Sequence, residues 1–194
     1  MSGATSASFG YDALARRRTK TVSGTTTNFL YDGENAVQEQ ASTGTPTANM
    51  LTGLGLDETF TRTDASGTST LLIDALGSAL ALADTSGVVQ TQYTFDPFGT
   101  TAAAGATSSN SFQFTGREND GTGLYYYRAR YHAPALGRFT SEDPIGFRGG
   151  INLYTYADDS PATLVDPAGT QALPLPVPGP PPLVIPPLGW SRWV

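Results

Sequence analysis

Short apolar and β-branched runs, each a few residues long and bounded by Gly, Asp or Asn, recur through the first half of the chain. "RTKTVSG" and "TTTNFLYDGEN" read as paired strands around tight turns. "TSTLLIDALGSALALADTSGVVQTQYTFD" carries turn signals at Leu76-Gly77-Ser78 and Ser86-Gly87, which predicts strand, turn, strand, turn, strand. Tyr-Asp dipeptides stand at Tyr11-Asp12 and Tyr31-Asp32, and Phe95-Asp96 in "TFDPFG" is a looser copy. Such spacing suits one hairpin per repeat and predicts an all-β fold of repeated β-hairpins over residues 1–99.

The pattern then changes. "TTAAAGATSSNS", residues 100–111, is small and polar and reads as a flexible loop. Residues 112–170 form a second region. Within it Tyr125, Tyr127, Ala129 and Tyr131 alternate with Tyr126, Arg128, Arg130 and His132, which predicts one strand with a core-like face and a wet or functional one. His132 reads as a residue of that second face, and Arg16 to Arg18 as a solvated strand end. Residues 171–194 are a separate Pro-rich tail, expected to be extended polyproline II without a packed core.

Composition narrows the chemistry. The chain has 17 acidic and 11 basic residues, net charge −6, which disfavours a nucleic-acid partner because phosphate binding needs clustered cations. There is no Cys and only one His, so a thiolate or His-rich metal site is excluded and no cofactor motif is found. The chain shows no signal peptide, and proline in the uncharged tail excludes a transmembrane helix there.

Two turns hold the strongest candidate chemistry. "SEDPIG" places Asp143, Pro144 and Gly146, and "LVDPAG" repeats the arrangement with Asp166, Pro167 and Gly169. Asp at the first position of a turn, Pro at the second and Gly at the fourth suit a type I turn, so both can be plain turns, as "DPFG" at Asp96 to Gly99 is read. A tight turn is also a good mount for a carboxylate. Arg138, shortly before Asp143, is a candidate for keeping a carboxylate ionised or anchoring the segment.

"FGYDALARR", "NFLYDGENAV", "FQFTGRENDGTGLYYYRARYHAPALGRFTSEDPIG" and "GGINLYTYADDSPATLVDPAG", in that order, resemble the bacterial RHS/YD-repeat proteins and their RHS repeat-associated core domain. The resemblance implies a shell of hairpins that spirals into a hollow cocoon, ends in the core domain and encloses a C-terminal toxin-type segment. It also implies aspartic-protease-like self-cleavage, with Asp143 and Asp166 as the motif aspartates, two carboxylates that share one proton and act as base and acid, and the cut between Thr170 and Gln171. Implied partners are the chain's own C-terminal segment, the rest of the shell, a secretion-system component and an immunity protein, in a bacterial protein that is exported or held at the cell surface. Ala15 replaces a repeat Gly, and Thr170 stands where the family usually has Leu. The chain's size suggests a C-terminal fragment or truncated product. The competing reading is a purely structural shell or adhesion module with an inactive cleavage site.

Overall fold

The computed structural model describes residues 5–175. Ten strands form one antiparallel sheet in chain order, each pairing with the next: β1 (Ala7–Tyr11), β2 (Arg17–Val22), β3 (Thr25–Asp32), β4 (Asn35–Ala41), β5 (Pro46–Thr52), β6 (Thr59–Asp64), β7 (Gly67–Ile73), β8 (Ala79–Ala83), β9 (Val89–Phe95) and β10 (Thr101–Gly105). Strictly sequential pairing follows from the short turns, because a tight turn can join only antiparallel neighbours. The turns at Leu76-Gly77-Ser78 and Ser86-Gly87 lie where the sequence places them. Register shifts interrupt several ladders, for example between Gly10 and Tyr11 and between Leu82 and Ala83, and such bulges bend and twist a sheet.

Aspartate closes turn after turn. Asp74 and Asp84 each accept the backbone N–H groups two and four residues ahead, and the residue three ahead donates to the Asp carbonyl. Asp12 does the same, although Ala15 must adopt the left-handed conformation, φ 61°, that a repeat Gly would take freely. The tyrosine before this aspartate reaches the rest of the fold: the Tyr11 and Tyr131 hydroxyls lie 2.8 Å apart.

Phe29, Ala36, Ala48, Met50, Leu71 and Leu82 form a core on one face of the sheet. The C-terminal region packs against that face through a second core of Phe114, Tyr125, Tyr127, Phe139 and Tyr156, with Phe95 touching both. This region holds a small sheet of β11 (Glu118–Asn119), β12 (Tyr125–Tyr127), β13 (Arg130–Ala133) and β14 (Arg138–Phe139), and a two-stranded ladder of β15 (Leu164–Val165) and β16 (Leu173–Pro174). Among the described residues there is no α-helix, so no helix is long and apolar enough to cross a membrane.

Four expectations change. Residues 100–111 contain a strand, β10, because Thr101–Gly105 pairs with Thr91–Phe95 at the sheet edge. The expected single strand through Tyr125–His132 is a hairpin, broken at Arg128 with φ 56°, so Tyr127 faces Arg130 and Tyr125 faces His132. Arg17 is wholly buried where a solvated strand end was expected. Its guanidinium pairs with Glu118 and with Asp120 at 2.6 Å, and lies 4.1 Å from the Tyr126 ring centroid. The tail's first residues include β16, paired with β15; the expectation for 176–194 lies outside the described residues.

Candidate active site

Asp143 and Asp166 come together on one guanidinium, that of Arg130. Its Nη2 lies 2.8 Å from Asp143 Oδ2 and 3.2 Å from Asp166 Oδ2, and all three side chains are buried. Arg130 is placed by the two-residue turn that separates β12 from β13. Its Nε donates to the Gly169 carbonyl at 2.5 Å, its Nη1 donates to the Leu153 carbonyl at 2.9 Å, and its guanidinium carbon sits 3.7 Å from the Phe139 ring centroid. Burial pulls the Arg130 pKa below its ordinary value, while the charges of Asp143 and Asp166 push it back up. A guanidinium keeps its charge in such a place, which makes it a suitable buried partner for two carboxylates.

Asp143 is fixed by its turn and by a neighbouring segment. Its Oδ1 accepts from Ile145 N–H, its carbonyl from Gly146 N–H, and its own N–H donates to the Leu153 carbonyl at 3.0 Å. The same Leu153 carbonyl therefore holds both Arg130 and the Asp143 backbone.

Asp166 departs from the hairpin pattern. Its Oδ1 accepts from Thr170 N–H at 2.9 Å and Gln171 N–H at 3.0 Å, one position further along than the hairpin aspartates reach. Gly169 closes the turn onto the Asp166 carbonyl with φ 69°, and a methyl there would stand 2.2 Å from the Tyr127 carbonyl oxygen. The turn is clamped to the hairpin by Ala129 N–H on the Ala168 carbonyl and by Arg128 Nη1 on the Pro167 carbonyl at 2.6 Å.

The Thr170–Gln171 peptide touches Asp166 at one end and borders the same glycine as Asp143 at the other. Its nitrogen is on Asp166. Its carbonyl oxygen and Asp143 Oδ2 both border Gly149: a Cβ at that position would be 2.9 Å from the first and 2.5 Å from the second. Only a residue without a side chain lets these two groups share that space.

The wall behind the site is aromatic. His132, wholly buried, stacks among Tyr127, Phe139 and Tyr156, with both ring nitrogens lacking a hydrogen-bond partner. Burial pulls its pKa down to about 4, against a weaker upward pull from Asp96. Tyr156 is pushed up to about 12, first by burial, with the charge of Asp166 adding to the rise. Neither group is poised for proton transfer near neutral pH.

The sequence predicts Asp143 and Asp166 as a pair acting on the Thr170–Gln171 bond with Arg138 as their support, and the structure brings the two aspartates together on Arg130. Arg138 is exposed on β14 and contacts neither carboxylate by hydrogen bond or ion pair. Arg130 holds that position, and the signal for it was its place on the face read as functional. The carboxylates also meet through the guanidinium, whereas the sequence reading has them sharing a proton directly. Among the described residues no cluster of three His, Cys, Asp or Glu side chains could hold a metal ion.

Comparison with known proteins bears on the fold. No protein-family model matches the sequence. The tRNA3(Ser)-specific nuclease WapA of Bacillus spizizenii is 32% identical over 184 residues, covering 84% of this chain and 7% of the nuclease. The toxin protein Tse5 of Pseudomonas aeruginosa is 38% identical over 97 residues, covering 50% of this chain and 7% of Tse5. This chain is related to the RHS-type toxins. The crystal structure of TcdB2-TccC3 without its hypervariable C-terminal region superposes with a TM-score of 0.66 at 28% identity, covering 84% of this chain and 9% of that one. The all-β hairpin fold is thus that of an RHS shell. The chain spans less than a tenth of the length of each of these proteins.

Proposed function

We propose that this segment is the core-domain end of an RHS shell and that it cuts its own chain once, between Thr170 and Gln171, to free the segment that follows. The observation that supports this reading is the placement of that one peptide bond, with its nitrogen on Asp166 Oδ1 and its carbonyl oxygen beside Asp143 across Gly149.

In this reading Asp143 carries the proton and polarises the Thr170 carbonyl, while ionised Asp166 takes a proton from water. The water oxygen bonds to the Thr170 carbonyl carbon, and the carbonyl oxygen takes the Asp143 proton. On collapse the carbonyl re-forms and returns that proton to Asp143. The C–N bond breaks, and Asp166 hands its proton to the Gln171 nitrogen it already faces. With one proton on the pair, Arg130 leaves the three-residue cluster uncharged overall, which suits a buried site. Because the substrate is part of the chain, positioning alone supplies an effective molarity of roughly 10⁵ M or more.

The wider role is the one the RHS resemblance implies: the shell encloses a toxin-type C-terminal segment, travels with an export or secretion system, and meets an immunity protein in the producing cell. Denaturing intact-mass measurement of the purified chain tests the cut. Two masses that sum to the full chain plus one water, with the break after Thr170, are expected. A folded chain of single, full mass would leave the two turns as scaffold.

A further inference from the structure

Cleavage creates two new charged ends whose surroundings differ. The Gln171 nitrogen already lies 3.0 Å from Asp166 Oδ1, and Asp166 is 1% exposed. Beyond it, β16 is laid antiparallel on β15, with Val165 opposite Leu173 and Leu164 opposite Pro174, and Leu175 N–H reaches the Thr163 carbonyl at 3.4 Å. Leu175 itself forms part of the wall of a notch of about 390 Å³, together with Leu56, Ile73, Leu76, Val165 and Pro167. The Thr170 carbonyl oxygen, by contrast, borders Gly149, as does Asp143 Oδ2.

We infer that Asp166, the β15 edge and this notch form a product-binding site for an extended peptide with a free N-terminal amine, and that it retains residues 171 onward after the bond is cut. The inference rests on the self-cleavage proposed above. Cutting turns the neutral Gln171 N–H into an ammonium, so its bond to Asp166 becomes an ion pair. β16 contributes strand addition and Leu175 the apolar anchor, the combination by which sheet edges hold peptides. On the other side of the cut the Thr170 carboxylate borders Asp143, which keeps its proton in the proposed mechanism and donates it in a hydrogen bond. Cleavage and release are therefore separate events, and release requires that β16 be displaced.

The self-cleaved full chain tests this. Denaturing mass spectra should show two pieces, while native mass spectra and gel filtration should show them together. Leu175→Asp and Ile73→Asp, both in the lining of the notch, should leave the cut in place and speed loss of the fragment by about tenfold or more. A synthetic peptide of residues 171–194 should displace the fragment, and its N-acetylated form should need about tenfold more. Pieces that part at once under native conditions would overturn the inference and leave self-cleavage standing. Equal potency of the free and acetylated peptides would remove Asp166 from the site. An uncut wild-type chain would defeat both readings.

Discussion

The turn at Asp96 to Gly99 and those at Asp143 and Asp166 share Asp-Pro-x-Gly and the same closing bond, from the Gly N–H to the Asp carbonyl at 3.0, 2.9 and 3.2 Å. Their carboxylates have different surroundings. Asp96 is exposed, and its Oδ1 is occupied locally by Phe98 and Thr100 N–H groups, as in the other hairpin turns. Asp143 and Asp166 are buried and share a guanidinium from a distant strand. At Asp166 the side-chain bonds come from the residues four and five ahead instead of two and four, which brings the Gln171 nitrogen onto the carboxylate. The four-residue motif makes a turn. A buried counter-charge and a shifted capping pattern make it a candidate for chemistry.

The contrast can be broken most severely at Arg130. Arg130→Ala leaves two buried carboxylates without their counter-charge, and the Gly169 and Leu153 carbonyls without those donors. It should cost about 3–5 kcal/mol in denaturant unfolding. A loss below about 1 kcal/mol would mean that the site turns are no more dependent on their surroundings than Asp96 is.

His132 sits between the two regions, held neutral by burial although Asp96 favours its charged form. Unfolded, it binds a proton near its ordinary 6.5; folded, near 4. Between these values the unfolded chain carries more protons. This contribution is full above about pH 6.5 and falls by about 3 kcal/mol as the pH drops towards 4. His132→Phe should flatten that part of the stability profile, and an unchanged profile would contradict the assigned burial.

Gly149→Ala puts a methyl between Asp143 and the Thr170 carbonyl, and should slow the cut by about 100-fold while the fold survives, read by time-resolved mass analysis. Wild-type cleavage rates in this variant would separate Asp143 from the bond. The smallest effect belongs to the control turn: Asp96→Ala should cost about 1 kcal/mol and leave the cut unchanged.

Much of this was legible because the turns are written in residues with strong backbone preferences. Ser86-Gly87 and the Asp-Pro-x-Gly sets locate chain reversals by local chemistry. The reversal at Arg128-Ala129 has no such mark, and the alternation of Tyr125–His132 runs through it unbroken, so one hairpin reads as one strand. That error conceals which residue faces the aspartates and favours the sequence neighbour, Arg138, over Arg130. Arg17 was read as exposed because its partners, Glu118 and Asp120, are supplied by a different sheet, and no local pattern reports a long-range ion pair. β10 is poor in strand-forming residues except Thr101, and its pairing with β9 overrides that composition.

The central claim is that two of three similar turns act on the bond after Thr170. Denaturing intact-mass analysis of the wild type beside Asp143→Asn, Asp166→Asn and Asp96→Asn tests it most directly. The account predicts a cut after Thr170 in the wild type and Asp96→Asn, and full-length chain in the other two. A cut that survives either Asp143→Asn or Asp166→Asn would contradict it, as would a folded wild type that stays whole.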